Sequence, residues 1–440
     1  MALFDMPCVI FYTLLNQKGN FSFLRGLSCA RGSNFCSPET TCFPNANSLS
    51  DKRGLPPVKV RKEFLPLSRP SIGEKEIAGV VSCLKSGWIT TGPLCKSFEE
   101  KFCQLTGASY ALSVSSGTAG MHLMMLALGI KRGDEIITPS MTFASTLNMI
   151  SLSGGKPVFV DIHYDTLNMN TDLVEEKVTE KTKGILPVHF AGAPVDMDQI
   201  LSLAKKHHLF VIEDAAHGLG SYYKGTHVGG WGHGAIFSFH PIKNITTGEG
   251  GMIVHSDESL ESRLRLLRFH GIERDAWKRY GKGGNPDYDI KAPGFKYNLT
   301  DIQAALGLAQ LSRLEELNRR RAELAHLYKE GLEGVEGLDL PGVPPYPHIH
   351  SWHLFVIKVT SMDRERFMQR LSDYEIGYGI HFPACHRLGY IQKQTKIKKG
   401  ELKETERANA NLLSLPLFPD MRDEDVSYVC EAVREILRHG

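Results

Sequence analysis

The sequence lacks any apolar run approaching the ~20 residues that a bilayer-spanning helix needs, so no transmembrane segment is expected. It also lacks an excess of charge of one sign: 51 Lys and Arg face 49 Asp and Glu, a formal net charge of +2. Nucleic-acid-binding chains usually carry a basic footprint, which this balance argues against. Cysteine is sparse, 9 in 440 residues, and the four in the first 42 residues have no C-x-x-C spacing and no nearby histidine to complete a zinc site. What is present is the composition of an average soluble protein, 42% hydrophobic and 23% charged. At roughly 150 residues per domain, the length suggests two or three domains.

The charge is unevenly placed. Residues 1–63 carry eight Lys/Arg and four acids, a net +4, so the remainder stands at −2. Four cysteines (Cys8, Cys29, Cys36, Cys42) lie in the same stretch. Pro7 to Leu15 is apolar, but Asp5 precedes it, no base does, and no small-residue cleavage site follows, which argues against a signal peptide. Residues 1–62 are therefore expected to form a Ser/Asn/Pro-rich disordered extension whose removal leaves activity intact. The other five cysteines are scattered and odd in number, as suits a reducing compartment, and a cytoplasmic location is expected.

From Ser71 onward the pattern is clear. Ser71-Ile-Gly-Glu74 is a capping box, opening an amphipathic helix that stops at Gly87. Strands are expected at 110–114, 135–138, 157–160, 184–188 and 209–213, with helices at 119–128, 142–152 and 197–207. Such alternation predicts an α/β fold with a largely parallel sheet covered on both faces. Two further strands, 235–239 and 252–255, follow. Asp301–Leu332 reads as one long helix interrupted only by Gly307, and Pro341-Gly-Val-Pro-Pro345 as a linker. The expected division is a large domain, 63–312, and a smaller α+β domain, 313–440.

Four clusters carry chemistry. Ser115-Ser-Gly-Thr-Ala119, between a strand and a helix, leaves backbone N–H groups free at a positive helix end and suits a phosphate, though a plain tight turn would look the same. Val211-Ile-Glu-Asp214 ends an apolar strand in an acid, where open α/β sheets bind ligands; a helix N-cap is the plain alternative. Lys243 sits in a largely uncharged run, Phe237-Ser-Phe-His-Pro-Ile-Lys, with the Ser238 hydroxyl five residues earlier. A lysine in an apolar pocket loses pKa and becomes a usable amine. Phe143 opens a helix and is either a core aromatic or a plate for a planar ligand. Together they fit pyridoxal 5'-phosphate, which needs a lysine, an acid at its pyridine nitrogen, a phosphate cup and a face for its ring.

The segments Ser-Gly-Trp-Ile-Thr-Thr-Gly-Pro (86–93), Gly-Asp-Glu-Ile-Ile-Thr-Pro-Ser-Met-Thr-Phe (133–143), Glu-Asp-Ala-Ala-His (213–217) and Phe-Ser-Phe-His-Pro-Ile-Lys (237–243) carry a resemblance. From Phe64 onward the chain resembles the DegT/DnrJ/EryC1/StrS sugar aminotransferases, fold-type I pyridoxal-phosphate enzymes. Phe64–Pro70, Ser145–Ile150, Lys296–Leu299, His348–Phe355 and Ser414–Met421 resemble the branch acting on UDP-4-amino-4-deoxy-L-arabinose. The resemblance implies that Lys243 bonds to the cofactor, Asp214 pairs with the pyridine nitrogen and His217 lies near the ring hydroxyl. It implies that Gly117, Thr118 and Ser238 hold the phosphate and that Phe143 stacks on the ring. It further implies a homodimer with shared sites, in which a segment matching 294–299 crosses from the partner. Most of the family has Asn-x-Arg where this chain has Lys296-Tyr-Asn298, so either Lys296 or Asn298 is expected at the phosphate.

The implied reaction moves an amino group from L-glutamate, leaving 2-oxoglutarate, to a 4-keto nucleotide sugar, with a UDP-4-ketopentose as acceptor. The alternative acceptors are a UDP-4-keto-6-deoxyhexose or a 3-keto sugar. Lys243 speaks against a sugar dehydratase of the same fold, in which a His replaces the lysine, and against a non-enzymatic sensor. His381, Phe382 and His386 are expected to line the substrate pocket. His348, His350 and His353 have no carboxylate nearby and are not expected to bind metal. Gly229-Gly-Trp-Gly-His-Gly234 lacks the downstream acid of a dinucleotide loop and reads as a plain loop.

Overall fold

The computed structural model describes residues 58–272 and 288–439. Most of the extension, residues 1–57 with its four cysteines, lies outside the described residues.

Seven strands form the main sheet: β1 (Tyr110–Val114), β2 (Glu135–Pro139), β3 (Lys156–Val160), β4 (Thr182–Ile185), β5 (Phe210–Asp214), β6 (Gly234–Ser238) and β7 (Gly251–His255). Their order is β1-β7-β6-β5-β4-β2-β3, and β7 alone runs antiparallel to the others. This is the mainly parallel α/β sheet expected. Its strands are apolar along their length because helices cover both faces, leaving no polar side. β7 departs from the pattern for a local reason. Residues 239–250 return directly from β6 without a crossover helix, so the next strand pairs antiparallel. That return loop carries Lys243.

The helices that matter for the site are α1 (Glu74–Ser86), α2 (Pro93–Thr106), α3 (Gly117–Ala127), α4 (Ala144–Leu152), α5 (Met197–His207), α6 (Glu258–Arg268), α7 (Asp301–Leu311) and α8 (Leu314–Leu332). Two expectations need correction. The cap of α1 is Gly73, whose N–H donates to Glu76 Oε2 at 2.8 Å; Ser71 instead offers its carbonyl to Gln310. The long helix breaks at Ser312–Arg313 and runs unbroken through Gly307. Gly307 is needed for packing: a Cβ there would lie 2.8 Å from the Phe98 ring of α2 and 2.9 Å from Thr247.

A second core gathers α8, the C-terminal helix Asp423–His439 and a three-stranded antiparallel sheet of Leu338–Asp339, β8 (Phe355–Val359) and β9 (Leu412–Leu415). Tyr328, Phe355, Phe367 and Val429 are fully buried in it. Residues 58–61 join this core rather than hanging free. The Val58 N–H donates to Glu435 at 2.8 Å, and Arg61 pairs with Asp425 at 2.7 Å. Burial alone would raise the Asp425 pKa; Arg422 and Arg61 outweigh it and bring the group down to about 2. No described helix is long and apolar enough to cross a membrane.

Candidate active site

Three parallel strands, β1, β5 and β6, deliver their carboxyl ends to one place, the edge where such sheets hold ligands. After β1, Ser116 caps α3: its Oγ accepts the Ala119 N–H at 3.0 Å. The next residues, Gly117 and Thr118, begin the helix, so their N–H groups have no carbonyl of an earlier turn to bond and point to the cavity end. Space there is tight. A Cβ on Gly117 would sit 3.1 Å from the Ser238 Cβ at the end of β6, and one on Gly251 would sit 2.6 Å from the Gly117 nitrogen. The cup and Ser238 are thereby pressed together, and only small residues permit it.

Strand alternation decides which acid faces the cavity. Glu213 and Asp214 end β5 with side chains on opposite faces. Glu213 turns away, fully buried. It takes a bond with His189 at 3.0 Å and accepts the N–H groups of Gly229, Trp231 and Gly232. It thus pins the Gly-rich loop, a role the sequence reading missed. Asp214 turns inward: Oδ2 accepts the Thr146 hydroxyl at 2.8 Å and Oδ1 the Ala216 N–H at 3.2 Å. Burial raises its pKa, opposed by Thr146, Ala216 and the charge of Lys243.

Lys243 lines the same cavity and is half-buried. Burial lowers its pKa to about 8, only partly offset by Asp214. His217, one turn past Asp214, is buried, and burial followed by the charges of Lys243 and His381 keeps it neutral, its pKa well below the usual histidine range. Its Nδ1 accepts the Ala191 N–H at 3.3 Å, so Nε2 carries the proton and is the donor left for the cavity. Ala191 adopts φ +55°, a left-handed conformation a non-glycine residue takes at a cost, and it aims that N–H. The His217 ring is held between Phe382, at 5.4 Å and 26°, and His353, at 4.3 Å. Phe143 opens α4 and stays 59% exposed at the cavity mouth, 5.7 Å from Phe382. It is therefore no core aromatic.

The cavity, about 300 Å³, is lined by Gly117, Thr118, Phe143, Asp214, His217, Ser238 and Lys243 together. Lys296 and Asn298 do not line it. Lys296 lies over the Phe269 ring at 4.1 Å, and Asn298 donates to Thr91 at 2.5 Å. His381 and Phe382 line it as expected; His386 does not, because its ring bridges Ser140 at 2.8 Å and Glu406 at 2.6 Å. Ser116, Ser145 and Glu249 are lining residues the sequence reading passed over, as was Thr146 as the partner of Asp214. The signal for Thr146 was its place three residues after Phe143, in the first turn of a helix opening at the site. His348, His350 and His353 have separate surroundings: the Tyr346 carbonyl, the Trp352 ring and the His217 ring respectively. Two larger concavities, about 760 and 690 Å³, lie elsewhere, and every lysine on their walls is exposed.

The residues present fit pyridoxal phosphate on their own geometry. A phosphate needs the glycine-tight cup with its unbonded N–H groups. A protonated ring nitrogen needs a buried anion, and Asp214, raised by burial, regains its charge most readily beside a cation. The aldehyde needs a lysine that gives up its proton readily, and burial brings Lys243 down to about 8.

Comparison with known proteins agrees. The model of the DegT/DnrJ/EryC1/StrS aminotransferase family matches residues 70–434. Spr1654 of Streptococcus pneumoniae, in its PMP form, is 32% identical with a TM-score of 0.80, the match covering 85% of this chain and 99% of that one. The sugar aminotransferase CalS13 of Micromonospora echinospora is 30% identical, with a TM-score of 0.77 and coverage of 84% and 100%. DesI, solved in the presence of its TDP-sugar product, is 29% identical, with a TM-score of 0.76 and coverage of 86% and 94%. A family model spanning most of the chain, relatives matched over nearly their whole length, and a cavity built for the cofactor leave one conclusion: this protein belongs to the DegT/DnrJ/EryC1/StrS family of aminotransferases, which are pyridoxal-phosphate enzymes.

Proposed function

We propose that the protein transfers the amino group of L-glutamate to a 4-keto nucleotide sugar, with a UDP-4-ketopentose as acceptor and 2-oxoglutarate as the second product. The observation that carries this reading is the convergence of Lys243, Asp214 and the Gly117–Thr118–Ser238 cup on one cavity. The nucleotide-sugar class is supported by DesI with its TDP-sugar product. The pentose rests on the segments from Phe64 to Met421 that resemble the arabinose branch.

When bound, pyridoxal phosphate supplies an electron sink for the bond broken at Cα of the amino acid. The chain's residues do the rest. Lys243, with a pKa near 8, takes a proton at Nζ from the substrate carbon and returns it to the other end of the system. Asp214, fixed by Thr146, holds a proton on the ring nitrogen. His217 directs its Nε2–H to the ring oxygen. Gly117, Thr118 and Ser238 hold the phosphate, and Phe143 covers the ring face and excludes water.

The working form in this reading is a cytoplasmic homodimer whose larger domain, 63–312, carries the cofactor and whose domain 313–440 closes the sugar side. Ile77, Val81 and Leu84 on α1, with nearby Ile72, Trp88 and Ile89, are exposed large apolar residues, which a partner surface would cover. Lys296 and Asn298, which do not line their own chain's cavity, would then serve the partner's phosphate site.

The test is the visible spectrum of the purified protein with pyridoxal phosphate, before and after L-glutamate. A protein-bound cofactor band bleached by glutamate and restored by UDP-4-ketopentose is the expected result. A band that glutamate leaves unchanged would sink the aminotransferase reading, and better turnover of a UDP-4-keto-6-deoxyhexose would sink the choice of acceptor.

A further inference from the structure

His381 reaches the cavity from the segment that precedes β9, separate from the elements that build the cup and the acid. Its Nδ1 lies 2.9 Å from Ser414 Oγ, and Ser414 is fully buried with no other side-chain partner. Hydrogen-bond accounting fixes the tautomer. If Nδ1 were the donor, the Ser414 proton would be buried with nothing to accept it, at a cost of about 1–3 kcal/mol. Ser414 therefore donates to Nδ1, and Nε2 of His381 carries the proton. Among the described residues Nε2 has no hydrogen-bond partner, and His381 lines the cavity.

The seat of this ring is built by close approach. A Cβ on Gly379 would lie 2.7 Å from His381 Cε1, so position 379 has room only for the imidazole. Phe382, the next residue, packs across His217 and edges toward Phe143, giving the cavity an aromatic wall beside the His381 donor. Among the described residues no arginine lines the cavity and Lys243 is its one lysine, so beside His381 the subsite offers a neutral donor and an apolar plate. That combination matches a sugar, with hydroxyls at its edge and C–H bonds on its face, better than a carboxylate.

Building on the function proposed above, we propose that His381 reads the acceptor sugar, its Nε2–H donating to an oxygen on the carbon next to the reacting carbonyl while Phe382 supports the ring's C–H face. His381 serves the sugar half of the reaction, not the glutamate half.

The two halves can be timed separately on the cofactor-loaded enzyme. Glutamate bleaches the bound band, and UDP-4-ketopentose added to the resulting pyridoxamine form restores it. His381→Phe keeps an aromatic ring and removes the donor; His381→Gln keeps an N–H near the Nε2 position. The Phe variant is expected to slow restoration at least about tenfold more than bleaching, with the Gln variant recovering most of the loss. Calorimetry needs no turnover: the Phe variant should weaken binding of UDP-4-ketopentose about tenfold while leaving binding of UDP alone unchanged. Should the Phe variant misfold, Gly379→Ala displaces the same ring and is expected to give the same pattern. Equal slowing of both halves, or weakening of UDP itself, would overturn the assignment, as would no change in either half. If glutamate fails to bleach the unsubstituted enzyme, the aminotransferase reading falls, and the calorimetric pair still decides His381.

Discussion

The Thr146 hydroxyl donates to Asp214 Oδ2 at 2.8 Å, joining the first turn of α4 to the end of β5, where Asp214 lines the cavity. Asp214 is buried, so each such donor supports its charged form against the desolvation that opposes it. Thr146→Val keeps the shape and removes the donor. It is expected to weaken pyridoxal-phosphate affinity by about 10- to 150-fold, the range of a lost bond to a charged group, as measured by titration of the bound-cofactor band. Unchanged affinity would mean that the bond is incidental.

The acid pair at the end of β5 separates chemistry from scaffolding. Asp214→Asn should lower kcat by at least about a hundredfold with little loss of thermal stability, because the amide cannot balance a ring cation. Glu213→Gln should do the reverse. It leaves His189 and three loop N–H groups with a weaker acceptor in a fully buried place, and lowers Tm before it touches kcat. Reversal of that order in a Tm-and-kcat comparison would show the faces to be misassigned.

Lys243 has its pKa lowered to about 8, so its amine is mostly charged below that value and mostly free above it. In the cofactor-free protein, the rate at which pyridoxal phosphate is captured should rise with pH and level off above about 8, followed as growth of the bound band. Stability has the same sign. The folded state binds fewer protons than the unfolded one between about 8 and the ordinary lysine value of ~10.4, so stability of the cofactor-free protein gains with pH across that window. Lys243→Ala should abolish both trends and lower turnover by a thousandfold or more. Retention of either trend in that variant would assign it to another group.

Residues 58–61 are tied to the C-terminal helix through Val58 with Glu435 and Arg61 with Asp425. Removal of residues 1–57 should leave activity and Tm near those of the full chain. Removal of residues 1–62 also takes away Arg61 and its pair with Asp425, and should lower Tm by a few degrees. Asp425 has a depressed pKa, so the stability it contributes is present above its unfolded value and is lost as pH falls. The gap between the two truncations should therefore narrow below about pH 4. Melting curves at pH 7 and pH 3.5 decide it, and an equal gap at both would rule out the ion pair as its source.

Much of the site was legible in the chain because chemistry needs particular residues at particular ends of strands. Asp214 closes an apolar strand, Gly117 opens a helix after another, and Lys243 stands in an uncharged run; each followed from local pattern. The break at Ser312–Arg313 was not legible, because Gly307 looks like the interruption until the Phe98 ring is seen to need its missing side chain. The Ser71 cap failed similarly: the Glu76 carboxylate reaches back to Gly73, a competition among neighbours that spacing alone does not resolve.

The sequence by itself determined the alternation of strands and helices and the cofactor, since these depend on periodicity and on residue type. Only the tertiary structure decided which acid of the Glu213–Asp214 pair faces the cavity, that Thr146 supports it, that His386 is tied to Glu406 instead of facing substrate, and that His381 presents a proton to the cavity. Those outcomes depend on contacts between residues 20 to 246 positions apart, such as His386 with Glu406 and Ser140 with His386. Which side chain wins a buried partner is settled by packing, after the fold has brought the competitors together.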